Sequence, residues 1–255
     1  MVIKMGMKKI LGCVRKADQE FNMIQDGDRI CVGVSGGKDS TLLLYALSLY
    51  QRFADVSFEV IGVHIEMGFP DMKFDELNRF MKDKHIELYH YHSDIYQILQ
   101  INKNPNGTLK CSLCSKFKKA TVIEAAKQHN CHKVAFAHHS DDATETLLMN
   151  MIFGGKIATF LPQMYLDRTD IQFIRPLLYA YESDIQEAIQ EANIPVVTST
   201  CPNDKHTERE EMKRMLHELY KKYPQAKHNF QLMLSNENQT MLWHKTPRKK
   251  EKDED

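Results

Sequence analysis

Ser35-Gly36-Gly37-Lys38-Asp39-Ser40 joins an apolar segment, residues 29–34, to a leucine-rich segment, residues 41–50. An apolar run, a glycine turn and a second apolar run predict a strand, a tight loop and a helix in that order. Two adjacent glycines let the backbone turn its N–H groups inward, and the helix that follows contributes the positive end of its dipole. The loop is therefore predicted to bind a phosphate group.

The polar side chains of this loop suit a nucleotide phosphate. Lys38 can neutralise phosphate charge, the hydroxyls of Ser35 and Ser40 can donate to phosphate oxygens, and Asp39 can hold Mg²⁺. An ordinary strand-to-helix turn is the alternative, which the agreement of periodicity, turn and charge disfavours. The loop matches neither Gly-x-x-x-x-Gly-Lys-Ser/Thr nor the Gly-x-Gly-x-x-Gly of dinucleotide-binding folds.

Strand and helix patterns alternate along most of the chain. The predicted strands are 29–34, 58–65, 87–90, 133–137 and 195–197, and residues 171–177 form a segment that ends at proline. The predicted helices are 8–23, 41–50, 74–81, 115–128, 182–192, one opened by a Thr207 cap, and 225–234. This alternation predicts an α/β fold with a doubly wound, mostly parallel sheet and a small C-terminal helical portion. Ligands of such folds bind at the carboxyl ends of the strands, which places Ile65 and Ala137 beside the nucleotide.

The composition limits the class of protein. With 255 residues, 42% of them apolar, the chain can form a packed core, and we divide it into an N-terminal helix (1–28), an α/β domain (29–200), a C-terminal helical portion (201–244) and a charged tail (245–255). Lys plus Arg equals Asp plus Glu at 34 each, so any RNA contact must use local patches. Without an apolar leader or a membrane-length apolar run, we expect a cytoplasmic protein.

Cysteine usage points to thiol chemistry or metal ligation, because six cysteines without a secretion signal do not suggest a disulfide framework. Cys111 and Cys114 form a Cys-x-x-Cys pair, and Cys201 lies in a loop-like segment. Three thiolates suit a [4Fe-4S] cluster with one open iron, whereas a small zinc or redox site with an unrelated Cys201 is the alternative. We interpret the remaining three as structural: Cys13, Cys31 and Cys131.

Two polar segments have competing interpretations. His138-His139-Ser140-Asp141-Asp142 follows a predicted strand, with Ser140 as the expected N-cap, and its aspartates either serve the site or only compensate the helix dipole. His138 and His139 are either packing residues or supports behind the site. The lysines around the first cysteine pair form either an RNA backbone contact or a solvated helix face; they are Lys110, Lys116, Lys118 and Lys119.

Several of these motifs resemble a known family. The Ser35–Ser40 loop resembles the pyrophosphate-binding loop (PP-loop) of the ATP pyrophosphatases, and residues 21–40 resemble the tRNA 2-thiocytidine synthetase family. The Cys-x-x-Cys before a basic helix and the later Cys201 match that family's three cysteines, within a resemblance that spans about residues 8–235. Ala137 replaces the usual glycine of the Gly-His-His-x-Asp-Asp motif, and Pro202 stands where better-known members have glycine.

The resemblance implies an activity. ATP would adenylate the C2 oxygen of an anticodon-loop cytidine in tRNA, releasing pyrophosphate into the loop, and sulfur would replace that oxygen with the help of a [4Fe-4S] cluster on Cys111, Cys114 and Cys201. Lys38, Asp39 and Asp141 would be catalytic, with Asp39 holding Mg²⁺.

The resemblance also implies one more site residue and the partners of the protein. Arg175, in an Arg-Pro pair, either binds phosphate or is a solvated arginine at a strand end. Sulfide or a cysteine desulfurase would supply sulfur, and a homodimer is expected. The alternatives are an ATP-dependent thiolase or ligase on another acceptor and a non-catalytic ATP-binding iron–sulfur or zinc sensor.

Overall fold

A single six-stranded sheet organises the described part of the protein, a computed structural model covering residues 3–203, 207–236 and 242–243. The strands are β1 (Asp28–Gly33), β2 (Phe58–Glu66), β3 (Leu88–His92), β4 (Lys133–Ala135), β5 (Gln163–Leu166) and β6 (Ile171–Ile174). Their order in the sheet is β3-β2-β1-β4-β6-β5, and only the edge strand β5 is antiparallel to its neighbour. The prediction of a mostly parallel sheet is confirmed.

Helices cover both faces of this sheet. They are α1 (Met5–Phe21), α2 (Lys38–Tyr50), α3 (Asp75–Asp83), α4 (Ile95–Ile101), α5 (Cys111–Gln128), α6 (Ser140–Gly154), α7 (Glu182–Ala192), α8 (Glu208–Lys222) and α9 (Ala226–Met233). Successive side chains of a strand point to opposite faces, so Ile30 and Val32 of β1 join the core with α1, α2 and α7, whereas Cys31 joins the core with α5. The doubly wound prediction is therefore confirmed.

The topology places a crevice at the carboxyl ends of β1 and β4. These strands are neighbours in the sheet. From β1 the chain first adds β2 and β3 on one side of β1, and it then crosses to the other side to form β4. Such a reversal of strand order opens a ligand crevice between the loops that follow the two strands. The loops here are Ser35–Gly37 after β1 and Phe136–His139 after β4.

Two predictions of secondary structure need correction here, and two elements were not predicted. Residues 195–197 are not a strand: Pro195 has no N–H, and the segment crosses the phosphate loop, where Val197 N donates to Gly36 O at 2.9 Å. The edge strand β5 and the short helix α4 were not predicted. The helix that holds the Cys-x-x-Cys pair begins at Cys111 itself and not at residue 115.

The C-terminal helices pack on α6. Thr207 caps α8 as predicted, because its side chain accepts a hydrogen bond from Glu210 N. Within the described ranges, every helix is too short or too polar to span a lipid bilayer. The charged tail, residues 245–255, lies outside the described residues, and the division into four segments stays a prediction.

Candidate nucleotide and thiol site

The phosphate loop is shaped by a single left-handed residue, Gly36. Its φ is +88°, and a Cβ added there would lie 2.9 Å from both the Phe74 ring and Val197 Cβ. Gly37 has an ordinary φ of −68° as the N-cap of α2, and an added Cβ would meet only Ser35 Oγ, at 3.4 Å. Gly36 is therefore the position at which the loop requires glycine.

Two hydrogen bonds of the Ser40 hydroxyl close the loop. Ser35 N donates to Ser40 Oγ at 3.0 Å, and the hydroxyl of Ser40 lies 3.2 Å from Gly37 O, to which it donates. The first helical hydrogen bond of α2 runs from Thr41 N to Gly37 O. The amides of residues 38–40 precede it and have no helical acceptor, so they are available to an anion.

Charged groups flank these amides. Lys38 Nζ lies 3.2 Å from Asp39 Oδ2 and 3.0 Å from Glu182 Oε1. Burial lowers the pKa of Lys38, but the two carboxylates outweigh burial and raise it, so the ammonium stays charged. Asp39 Oδ1 is buried and lacks a hydrogen-bond partner within the described part of the chain. A carboxylate oxygen that makes no hydrogen bond among the described residues, with His139 Nε2 at 3.9 Å, suits a bound Mg²⁺ beside a phosphate loop.

One cavity of about 490 Å³ extends from the phosphate loop to the cysteines, a size common among small-molecule sites. The predicted site residues that line it are Ser35, Asp39, Ser40, Ile65, Cys111, Cys114, Ala137 and Cys201. Gly36, Gly37 and Lys38 form the loop at its end without lining it, and Arg175 lies elsewhere. The structure thus brings five of the nine predicted nucleotide residues and all three predicted thiols to one space.

Asn203 holds the segment of the third cysteine against the first pair. Its Nδ2 donates to Leu109 O at 2.7 Å and to Cys111 Sγ at 3.3 Å, and its Oδ1 accepts from Leu109 N at 3.3 Å. The side chain thereby pairs with both backbone groups of the residue two before the Cys-x-x-Cys motif. Because Asn203 is two residues from Cys201, these bonds bring Cys201 to the mouth of the cavity.

Cys114 lies close enough to the other two thiols to be affected by their charges. Burial raises the pKa of Cys114, nearby Lys118 lowers it, and the charges of Cys201 and Cys111 raise it further. Among the residues that the structure describes, no three His, Cys, Asp or Glu side chains already stand in a metal-binding arrangement. The donor set fits a cluster with three thiolate ligands, provided that the side chains turn toward a common centre.

Comparison with known proteins agrees with this geometry. Residues 11–220 match the family of the PP-loop domain. A tRNA-cytidine(32) 2-sulfurtransferase of Geobacter sulfurreducens is 36% identical over 231 residues, which cover 90% of each chain, and one of Dechloromonas aromatica is 34% identical over 218 residues, covering 85% of this chain and 76% of the relative.

The chain belongs to the PP-loop family of tRNA-cytidine(32) 2-sulfurtransferases. Its fold is also that of the solved U34-tRNA thiolase NcsA from Methanococcus maripaludis with its [4Fe-4S] cluster. That structure superposes with a TM-score of 0.71 at 21% identity, over 91% of this chain and 78% of the thiolase.

The aspartates of this PP-loop protein's His-His-Ser-Asp-Asp segment face different partners. Asp142 lines the cavity, whereas Asp141 accepts from Glu182 N at 2.8 Å and pairs with Lys227 Nζ at 2.9 Å. The catalytic role assigned to Asp141 stays a prediction. The N-cap is His139 and not Ser140, because His139 and Asp142 exchange hydrogen bonds between side chain and backbone.

Arg175 lies behind the cavity wall of the PP-loop protein. It is buried, stacks on Phe160 at 5.0 Å and donates from Nε to His138 Nδ1 at 3.3 Å, while Nη1 donates to Leu161 O. Burial lowers the pKa of His138 to about 4, and the Arg175 charge acts in the same direction. His138 is therefore neutral at pH 7 and lines the cavity. Phosphate binding by Arg175 stays a prediction.

The three cysteines outside the site differ from the site cysteines because burial keeps their thiols protonated. Burial raises the pKa of Cys131 to about 11 and that of Cys31 further still, so neither forms a thiolate at neutral pH. The pKa of half-buried Cys13 is raised for the same reason. These thiols behave as apolar side chains, as expected.

Two groups in the PP-loop site were not singled out from the sequence. His64, at the end of β2, is buried, lines the cavity and donates from Nδ1 to Val34 O at 2.8 Å. Its position in a predicted strand end that faces the nucleotide could have drawn attention to it. Glu182 has no such signal, because its contact with Lys38 spans distant parts of the sequence.

Proposed function

We propose that this protein is an ATP-dependent tRNA sulfurtransferase that activates a cytidine, position 32 in the named relatives, and replaces its C2 oxygen with sulfur. One observation carries the proposal: a single cavity is lined by the phosphate loop at one end and by Cys111, Cys114 and Cys201 at the other. Activation by ATP and replacement by sulfur must act on the same carbon, so their residues have to share one space.

At the phosphate end, the chain stabilises the leaving pyrophosphate. The amides of residues 38–40 and the ammonium of Lys38 place positive charge where negative charge develops as the cytidine oxygen is adenylated. Asp39, whose Oδ1 makes no hydrogen bond among the described residues, and Asp142, which also lines the cavity, would hold Mg²⁺. That ion would shield the phosphate charge from the attacking oxygen.

At the thiol end, Cys111, Cys114 and Cys201 would hold a [4Fe-4S] cluster. When bound, such a cluster supplies an iron with an open position at which sulfur can be carried. Lys118 lies between the thiols and the rest of the cavity, where it favours the thiolate of Cys114. Apolar side chains, Val63, Leu99 and Val122 among them, restrict water around the thiols.

A tRNA loop suits a cavity that must accept a base and leave the backbone outside. Lys118 and Lys119 line the cavity and Lys110 and Lys116 do not. The exposed side chains of Lys116 and Lys119 are available for contacts with an RNA backbone. The remaining partners keep their status as predictions: sulfide or a cysteine desulfurase as sulfur donor, a homodimer, and a cytoplasmic location alongside tRNA.

The test is nucleoside mass spectrometry of tRNA from cells that lack the gene and carry either the wild type or a single variant. We expect 2-thiocytidine with the wild type and with Cys13→Ala, and none with Cys201→Ala. If the wild type restores no 2-thiocytidine, the acceptor is wrong and another base or a small molecule takes its place. If Cys201→Ala restores it fully, the three-thiolate arrangement is wrong.

A further inference from the structure

One carboxylate oxygen joins the phosphate loop to the C-terminal helix α8. Glu182 Oε1 lies 3.0 Å from Nζ of Lys38 in the loop and 2.8 Å from Nζ of Lys213 in α8. The two ammonium nitrogens therefore lie within about 6 Å of each other. Like charges at this separation need a compensating anion.

Glu182 supplies part of that compensation. Its side chain is only 17% exposed, and burial alone would raise its pKa, but the hydrogen bonds from Lys213 and Lys38 hold the pKa at about 2. The carboxylate is therefore ionised at neutral pH. Glu182 thus holds the ammonium groups of Lys38 and Lys213 together at the edge of the phosphate loop.

The side chains of the loop carry no excess positive charge of their own. Lys38 also contacts Asp39 Oδ2 at 3.2 Å, so the charges of these two adjacent side chains cancel. A pyrophosphate group carries several negative charges and needs more cationic partners than one paired lysine. Among the described residues, Lys213 is the next ammonium along this chain of contacts, and it reaches the loop from a helix outside the motif.

We propose that Lys213 is a second phosphate-binding residue, which contacts the pyrophosphate end of ATP while Glu182 positions it beside Lys38. This inference rests on the proposed use of ATP at the loop. Lys38 and Lys213 then flank the phosphates from two elements, and Glu182 prevents the two ammonium groups from separating when the loop is empty.

Isothermal titration calorimetry with ATP, pyrophosphate and AMP tests the proposal. Lys213→Met should weaken ATP and pyrophosphate binding about tenfold, the loss of one charge-assisted contact, while AMP binding stays within about twofold. Lys213→Arg should recover most of the loss. Lys221→Met is the matched control, since Lys221 lies on the same helix and pairs only with the exposed Glu218 in the described structure.

Glu182→Gln separates phosphate binding from a tethering role. It removes the shared carboxylate but keeps both ammonium groups and an amide oxygen that can accept from them, so pyrophosphate affinity should fall by about threefold, less than in Lys213→Met. Equal losses in Glu182→Gln and Lys213→Met, or an equal loss of AMP binding in Lys213→Met, would make Lys213 a mere tether of α8 and overturn the inference.

Two further outcomes are distinct. If the wild type binds neither ATP nor pyrophosphate, the proposed function fails at its first step. If the wild type binds both and Lys213→Met binds them equally well, only the inference about Lys213 fails. Lys213→Gln, which keeps a hydrogen bond to Glu182 without the charge, applies the same criteria should Lys213→Met not fold.

Discussion

The two ends of the cavity are built in different ways. At the phosphate end, the hydrogen bonds that close the loop on itself join residues at most five apart, such as Ser35 and Ser40, and longer-range contacts such as Val197 N to Gly36 O add to them. At the thiol end, the segment of Cys201 is held by bonds between Leu109 and Asn203, which are 94 residues apart. A loop closed by its own neighbours forms with its strand and helix, whereas the thiol end exists only when distant segments have packed together.

The largest expected effect breaks the local end alone. Gly36→Ala places a side chain at φ +88° and 2.9 Å from Phe74 and Val197, so we expect a loss of about 3 kcal/mol in the free energy of unfolding, with ATP binding lost as well. Gly37→Ala, at φ −68°, should keep most of its stability. Urea unfolding and calorimetry with ATP measure both effects.

Equal stability losses in the two glycine variants would contradict the assignment of loop strain to Gly36. Gly37→Ala could also lose ATP affinity at unchanged stability. Crowding of the bound phosphate by the added methyl group would then explain the loss, and loop strain would not.

The contrast between the ends also explains what the sequence could predict. The loop was predicted residue by residue because its glycines, serines and helix start interact within one short stretch. Asn203 and Glu182 escaped prediction because their partners, Leu109 and Lys38, are far away in sequence. Even the local N-cap was misplaced by one residue, since a histidine that exchanges bonds with Asp142 displaced the more common serine.

The sheet and the thiols follow the same rule. Alternating strand and helix patterns predicted a doubly wound fold, but the antiparallel edge strand β5 depends on pairing with β6 rather than on a pattern of its own. Three cysteines could be proposed as one ligand set from order and context, yet only the folded chain brings them to the lining of one cavity.

The second prediction concerns a variant that weakens the thiol end and leaves the phosphate end unchanged. Asn203→Ala removes the side chain that pairs with Leu109 N and O, so we expect a loss of about 2 kcal/mol and about tenfold weaker retention of reconstituted iron. ATP affinity should not change. Iron assays after anaerobic reconstitution and ATP titrations measure the two ends separately.

Asn102→Ala is the matched control, because Asn102 is exposed and donates only to Ile98 O among the described contacts. Iron loss of the same size in this control would show that the effect does not depend on the Leu109 contacts. A parallel loss of ATP affinity in Asn203→Ala would mean that the two ends are not independent.

The smallest effect concerns His64, which lies between the two ends. It is 4% exposed, donates to Val34 O next to the phosphate loop and stacks on Phe74 with ring centroids 3.9 Å apart. Burial lowers its pKa to about 4, partly offset by the bond to Val34; the nearby charges of His90 and Lys118 lower it and Glu66 raises it. The folded protein therefore holds this imidazole neutral below the pH at which an ordinary histidine is charged.

The sign of the pH dependence follows from these two pKa values. Above about pH 6.5 neither state binds the extra proton and stability is complete; as pH falls toward 4, the unfolded state binds it first and stability is lost. Between pH 7 and 5.5 the shifted pKa of His64 lowers the free energy of unfolding by about 1 kcal/mol. His64→Gln should lose correspondingly less stability over that interval than wild type. His228→Gln should match wild type, because His228 is exposed and its ring makes no hydrogen bond or ion pair among the described residues. Identical slopes for all three proteins would mean that His64 titrates normally and that its bond to Val34 does not restrain the start of the phosphate loop.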